Sequence, residues 1–336
     1  MKKTIYSAVL GALLTVSATQ ALAVDLGFSG AIREYLEIDN INGGTNHNTD
    51  KPGLKLTNFT SKFTVTAVEP LNDVSPGLKF NAKVATEFFA DNPTNNTTYE
   101  APPYRQNQIG NNISTVGFSN DWFKLDFGRK GHMLWWTVAD FDAMDDFQGT
   151  AIGEVHTRQG LRFNNGIFAD VKLTSAIKLT YETELSENAS VTNPYDAGIT
   201  YKEGNIEARY VHFDKGDGRN ESDVIAGSYM FPTHTQVMLM ASADKKSNVD
   251  YKGYSVSVKQ RINDKWSARA MYGHRDDGVN AYTAGVDYQM TKSLALVGRF
   301  NYTEADRQIY MTIPNDFAGA MGTSRLNASA GVEFYF

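Results

Sequence analysis

The sequence predicts an all-β chain, a 16-stranded antiparallel transmembrane β-barrel. Three observations carry the prediction: an alternating final strand, a secretory leader, and alternating segments joined by connections of unequal length. In the final strand Leu326, Ala328, Ala330, Val332, Phe334 and Phe336 fall on one face. Arg325, Asn327, Ser329, Gly331, Glu333 and Tyr335 fall on the other. One face suits lipid and the other water, the pattern of a membrane-spanning β-strand.

The leader is read from three parts. Met1-Lys2-Lys3 is basic, residues 8–15 are apolar but too few to span a bilayer, and Ala21-Leu22-Ala23 is a small-residue cleavage site. Residues 1–23 are therefore expected to be a cleaved signal peptide, and residues 24–336 a single barrel domain. Cleavage removes Lys2 and Lys3 and no acid, leaving 30 basic against 38 acidic residues, a formal net charge of −8. That balance gives no reason to expect nucleic acid as a partner. The absence of cysteine excludes disulfides and cysteine metal sites. Mean hydropathy is −0.38, and beyond the leader no apolar run is long enough for a transmembrane helix. A barrel escapes that exclusion because half of each strand faces water. The 17 tyrosines and 19 phenylalanines suit aromatic girdles at the two membrane interfaces.

Alternating segments recur along the chain. Leu26, Phe28, Ile32 and Leu36 mark the first; Phe63, Val65 and Ala67 the second; Leu78, Phe80, Ala82 and Val84 the third. Later ones run through Phe123-Phe127, Tyr254-Val258, Trp266-Tyr272, Tyr282-Tyr288 and Leu294-Tyr302. Short turns are expected at Asn120-Asp121, Asn164-Asn165-Gly166, Glu203-Gly204-Asn205, Pro232-Thr233, Asn263-Asp264 and Met290-Thr291-Lys292. Long polar loops are expected at 40–53, 90–108, 131–155, 185–195, 214–222, 244–250, 275–280 and 304–322. Eight long loops imply eight hairpins and hence 16 strands. A barrel that wide cannot fill its interior with side chains, so an aqueous channel remains.

Two segments carry a family resemblance. Leu125-Asp126-Phe127-Gly128-Arg129 resembles the strand that precedes the third loop of Gram-negative general porins. Thr157-Arg158-Gln159-Gly160-Leu161-Arg162-Phe163-Asn164-Asn165 resembles the strand that follows it. With the leader, the strand count and the aromatic terminus, the resemblance covers essentially the whole mature chain. It implies a third loop folded into the lumen, with loop acids facing basic residues of the wall. It also implies a homotrimer in the outer membrane of a Gram-negative bacterium, surrounded by lipopolysaccharide and lipid, with no cofactor. Many family members carry Pro-Glu-Phe-Gly-Gly at the loop tip, and this chain does not.

On that resemblance Asp140, Asp142, Asp145, Asp146 and Glu154 are the expected acidic side of a pore constriction. A solvated outer loop is the alternative for the same cluster. Calcium is disfavoured, because Met144, Asp145 and Ala151 stand where a calcium loop needs an oxygen ligand, a glycine and a glutamate. Strand parity turns Arg33, Lys62, Lys79, Lys83, Lys124, Lys259, Arg261, Arg269 and Arg299 toward water. Arg33, Lys62, Lys83, Arg129, Arg158 and Arg162 are the expected basic wall level with the loop. Trp135 and Trp136 can stack on sugars or pin the loop to the wall, and pinning is the commoner use of such residues. Phe336 is the expected signal to the barrel assembly machinery. The six histidines show no metal-ligand spacing, and no nucleophile elbow or phosphate loop occurs.

The function expected is passive diffusion of ions and small hydrophilic solutes, with weak cation selectivity from the loop aspartates. A substrate-selective oligosaccharide channel is the alternative. An outer-membrane barrel enzyme is the third reading, and no catalytic arrangement supports it.

Overall fold

The computed structural model describes residues 24–42, 53–58, 61–88, 109–110, 112–144, 150–156, 162–186, 192–312 and 319–336. The leader, the loop 90–108, Asp145, Asp146 and Arg158 lie outside them. Seventeen strand segments follow in order: β1 (Asp25–Asn42), β2 (Gly53–Asn58), β3 (Ser61–Pro70), β4 (Lys79–Phe88), β5 (Ile113–Ser119), β6 (Phe123–Lys130), β7 (Phe163–Lys172), β8 (Ile177–Glu184), β9 (Tyr195–Glu203), β10 (Ile206–Asp214), β11 (Glu221–Met230), β12 (Thr235–Lys246), β13 (Val249–Arg261), β14 (Trp266–Arg275), β15 (Val279–Gln289), β16 (Leu294–Thr312) and β17 (Gly319–Tyr335).

β2 and β3 both pair with β1, through residues 34–39 and 25–31 of β1. They are two runs of one strand, so the wall has 16. Each strand pairs antiparallel with the next, and β17 returns to β1 with Ala31 opposite Tyr335 and Asn42 opposite Ser324. The sheet is closed and has no free edge, the condition for a β-structure to cross a bilayer. Among the described residues no helix is long and apolar enough to do so.

Alternation divides the wall into two faces. Along β12 Met238 and Met240 are buried while Leu239 between them is exposed. Along β17 Arg325, Asn327 and Glu333 are buried, while Leu326, Val332 and Phe334 are exposed. Exposed leucine, valine and phenylalanine beside buried arginine and glutamate reverse the soluble-protein pattern. The apolar face therefore points outward to lipid and the polar face inward, as the final strand predicts.

Four sequence expectations about connections are corrected. Of residues 304–322, β16 takes 304–312 and β17 takes 319–322, and 313–318 lie outside the described residues. Residues 244–250 and 275–280 are not long loops. β12 and β13 meet at Ser247-Asn248, both at positive φ (52° and 66°), as a two-residue hairpin of type I′ requires. β14 and β15 meet over residues 276–278, with Gly278 at φ 91°. Asn164-Asn165-Gly166 is not a turn but lies within β7. There the pairing goes from Gly128–Gly166 to Lys130–Phe163, so two residues of β7 oppose Arg129 alone. Asn165 takes φ 51° at this bulge. The turn itself comes later, at residues 173–176.

Candidate functional site: the barrel lumen

The chain between β6 and β7 carries two short helices, α1 (Met133–Asp140) and α2 (Ala151–Val155). Both lie on the inner face of the wall. α1 has no capping side chain of its own, yet its first amides are satisfied. Met133 N–H donates to Glu182 of β8 at 2.6 Å, and Leu134 N–H to Asp196 of β9 at 2.9 Å. Carboxylates at a helix N-terminus also suit its dipole. The His132 ring, 2.8 Å from Asp196, lies against Phe163 and Phe213. Leu134, Val138 and Phe141 then pack with Val211, Val224, Ala226, Met238 and Met240, an apolar patch on an otherwise polar inner wall.

α2 docks farther round the barrel. Ala151 N–H donates to Thr283 Oγ1 at 2.9 Å, and Arg269 donates to the Ala143 carbonyl at 2.8 Å. His156 bridges Ser242 and Ser255, at 2.8 and 2.9 Å. Burial, with Arg275 nearby, pushes the His156 imidazole down to about 3, so it docks neutral. The approach is too close for side chains on the wall. A Cβ on Gly273 would meet Val155 at 2.7 Å, on Gly253 Val155 at 2.9 Å, and on Gly285 Met144 at 2.9 Å.

The acids expected at a constriction have other work. Asp142 is 2% exposed and folds the loop on itself, accepting from Met144 N–H and Thr150 Oγ1, each at 2.8 Å. Glu154 is buried against Arg325 of β17 at 3.3 Å, and its carbonyl accepts from Arg275 at 3.0 Å. Neither stands on open lumen, because the loop needs both to hold its shape and its place. Asp140 is half-exposed and pairs with Arg209 of β10 at 2.7 Å.

On the opposite side the basic residues gather. Arg33, Lys62 and Lys83 occupy inner rows of β1, β3 and β4, and Arg162 reaches the same patch. The charges of Arg33, Lys83, Arg162 and Glu87 all act on Lys62. Glu87 lies directly opposite Lys62 and is clasped by both bonds of Arg162 at 3.0 Å. Lys83 is exposed to the lumen, near Lys124, Asp126 and Lys130. Arg129 does not join them. It stands opposite Ser114, on the row of Val116 and Phe127 that faces outward, and it donates to Asn164.

The sequence model of the Gram-negative porins matches residues 7–308. The chain belongs to the Gram-negative porin family. No curated protein matches it in sequence. The fold is similar to that of the anion-selective porin from Comamonas acidovorans, with 15% identity, a TM-score of 0.76, and coverage of 93% of this chain and 100% of that one. It is also similar to the trimer form of OmpT from Vibrio cholerae, with 14% identity, a TM-score of 0.66, and coverage of 93% and 99%. A mutant of the Rhodopseudomonas blastica porin matches with 14% identity, a TM-score of 0.60, and coverage of 93% and 100%. The porin is thus a multi-pass outer-membrane channel for passive diffusion.

The two tryptophans separate. Trp135 packs on the apolar patch and pins the loop. Trp136 is 37% exposed, bonded through Nε1 to the Gly131 carbonyl at 2.9 Å, and lines a cavity. Sequence reasoning missed the footprint of the loop on the wall. A signal existed: glycines 253, 273 and 285 interrupt three successive strands, and an isolated strand glycine often marks close backbone approach.

Proposed function

We propose that this porin passes small hydrophilic ions and solutes with a mild preference for anions. The observation that carries the reading is an asymmetry of neutralisation. Among the described residues the loop acids are spent, Asp140 on Arg209, Glu154 on Arg325 and Asp142 within the loop. Across the lumen Lys62 and Lys83 have no ion pair among the described residues. Charges lining a narrow aqueous path lie within a Debye length of about 10 Å at 0.1 M salt, so they bias which ion enters. The cation preference expected from the sequence now leans on Asp145 and Asp146 alone. The similar Comamonas acidovorans channel is described as anion-selective, which agrees in direction.

The test is the reversal potential under a tenfold potassium chloride gradient in planar bilayers. An anion-favouring potential is expected, moving toward cations in Lys62→Gln/Lys83→Gln and fading at molar salt. A cation-favouring wild-type potential sinks the reading. A homotrimer is part of the proposal, supported by the trimer form of the similar OmpT. The absence of enzymatic activity is also proposed. The His132–Asp196 pair is sealed from water, the side chains 1% and 0% exposed, so it could not reach a substrate.

A further inference from the structure

We propose that the short-turn end of the lumen holds a subsite for a small carboxylate with a flat apolar body. A cavity of about 420 Å³ lies between α1 and the inner face of β7–β10, floored by the turn at residues 173–176. That volume falls in the range of small-molecule sites.

Its wall carries like charges side by side. Lys172 and Lys178 are directly opposed in register, and like charges so placed repel. Arg209 continues the same row beyond Thr200. Lys178 is offset by Asp170 at 3.2 Å, and Arg209 by Asp140 at 2.7 Å. Lys172 is exposed and makes no ion pair among the described residues. Among the described residues a positive charge is thus left over within a concave space.

The other half of the recognition is apolar. Trp136 lines the same cavity, and its ring is fixed by the bond to Gly131 and by edge contact with Trp135 at 4.4 Å between centroids. Met133 and Ile177 also line the space. A fixed aromatic plane and an aliphatic neighbour give an inorganic anion nothing beyond charge. They give a flat organic carboxylate a surface to stack on, while its oxygens meet the Lys172 ammonium. The same plane could accept a sugar ring, but a sugar would leave the excess lysine charge without a partner.

The subsite rests on the channel reading and not on the sign of its selectivity. Sodium benzoate, sodium acetate and lactose are added in turn to each side of a bilayer holding the full-length porin. Benzoate is expected to reduce current saturably, and more strongly from the short-turn side. Lys172→Gln should raise the half-blocking concentration of benzoate about fivefold. Trp136→Ala should raise it for benzoate and leave any effect of acetate unchanged. Unboiled electrophoresis verifies that both variants fold, and Trp136→Phe, which keeps an aromatic plane, should retain block. Unsaturable benzoate effects, block unaltered by Lys172→Gln, or acetate or lactose blocking as well as benzoate each overturn the proposal. The reversal potential in potassium chloride, taken from the same membranes, reads selectivity separately. Saturable benzoate block without anion preference keeps the subsite and removes only the selectivity reading.

Discussion

Asp142 and Glu154 show how far a charged residue's role depends on what lies across from it. Both were legible as acids on a long loop, and neither was legible as buried. Arg325, the partner of Glu154, is 171 residues away in sequence. The inward parity of Arg33, Lys62 and Lys83 was legible, because strand alternation is a local property. Arg129 follows the same alternation, two residues after outward-facing Phe127, and its expected place on the wall came from the family resemblance, not from parity. The Glu154–Arg325 pair also makes a sharp prediction. Removing one partner of a buried pair leaves an uncompensated charge, worth about 3–5 kcal/mol. Glu154→Ala is therefore expected to loosen α2 and raise open-channel current noise. Glu154→Ala combined with Arg325→Met should quieten it again. Equal noise in wild type and Glu154→Ala would show that this pair does not hold the loop.

At the scale of elements, the loop between β6 and β7 is two helices docked by different chemistry. α1 is held by wall carboxylates at its N-terminus and by an apolar patch. α2 is held by hydroxyls, a buried ion pair and a neutral histidine. The histidine sets a pH dependence. An undocked imidazole titrates near its ordinary 6.5, whereas docked His156 titrates at about 3. The undocked state therefore binds the proton more readily, and docking weakens as pH falls from about 6.5 toward 3. Above 6.5 the contribution is fully present. Closing events in single-channel records should become more frequent across that window, and His156→Gln should lose part of the dependence. An identical pH profile in His156→Gln would assign the effect to other groups. The strands themselves were legible from alternation and turn residues. The hairpins at 247–248 and 276–278 were not, because polar residues at a barrel rim look the same inside a strand as in a loop.

The whole molecule is a ring of strands, and its seam combines two surfaces. Inside, Tyr35 donates to Glu333 at 2.5 Å, and Arg33 stands over the Tyr335 ring. Outside, Phe336 stacks with Phe334 and with Phe63, which in turn meets Phe28. Phe336→Ala removes the centre of that aromatic group and should lower the yield of trimer-sized, heat-modifiable band on unboiled gels. Full yield would leave Phe336 without a role in assembly. Gly30 and Phe336 also exchange two backbone hydrogen bonds, at 2.9 and 3.2 Å. Closure thus joins segments some 300 residues apart, which gives the wall a temporal order. Until β17 has left the ribosome and crossed the inner membrane, β1 has no lasting partner on that side, and every shorter intermediate carries two open edges. Sealing has to wait for the whole chain, so a product truncated before β17 keeps two open edges however much of the wall it carries.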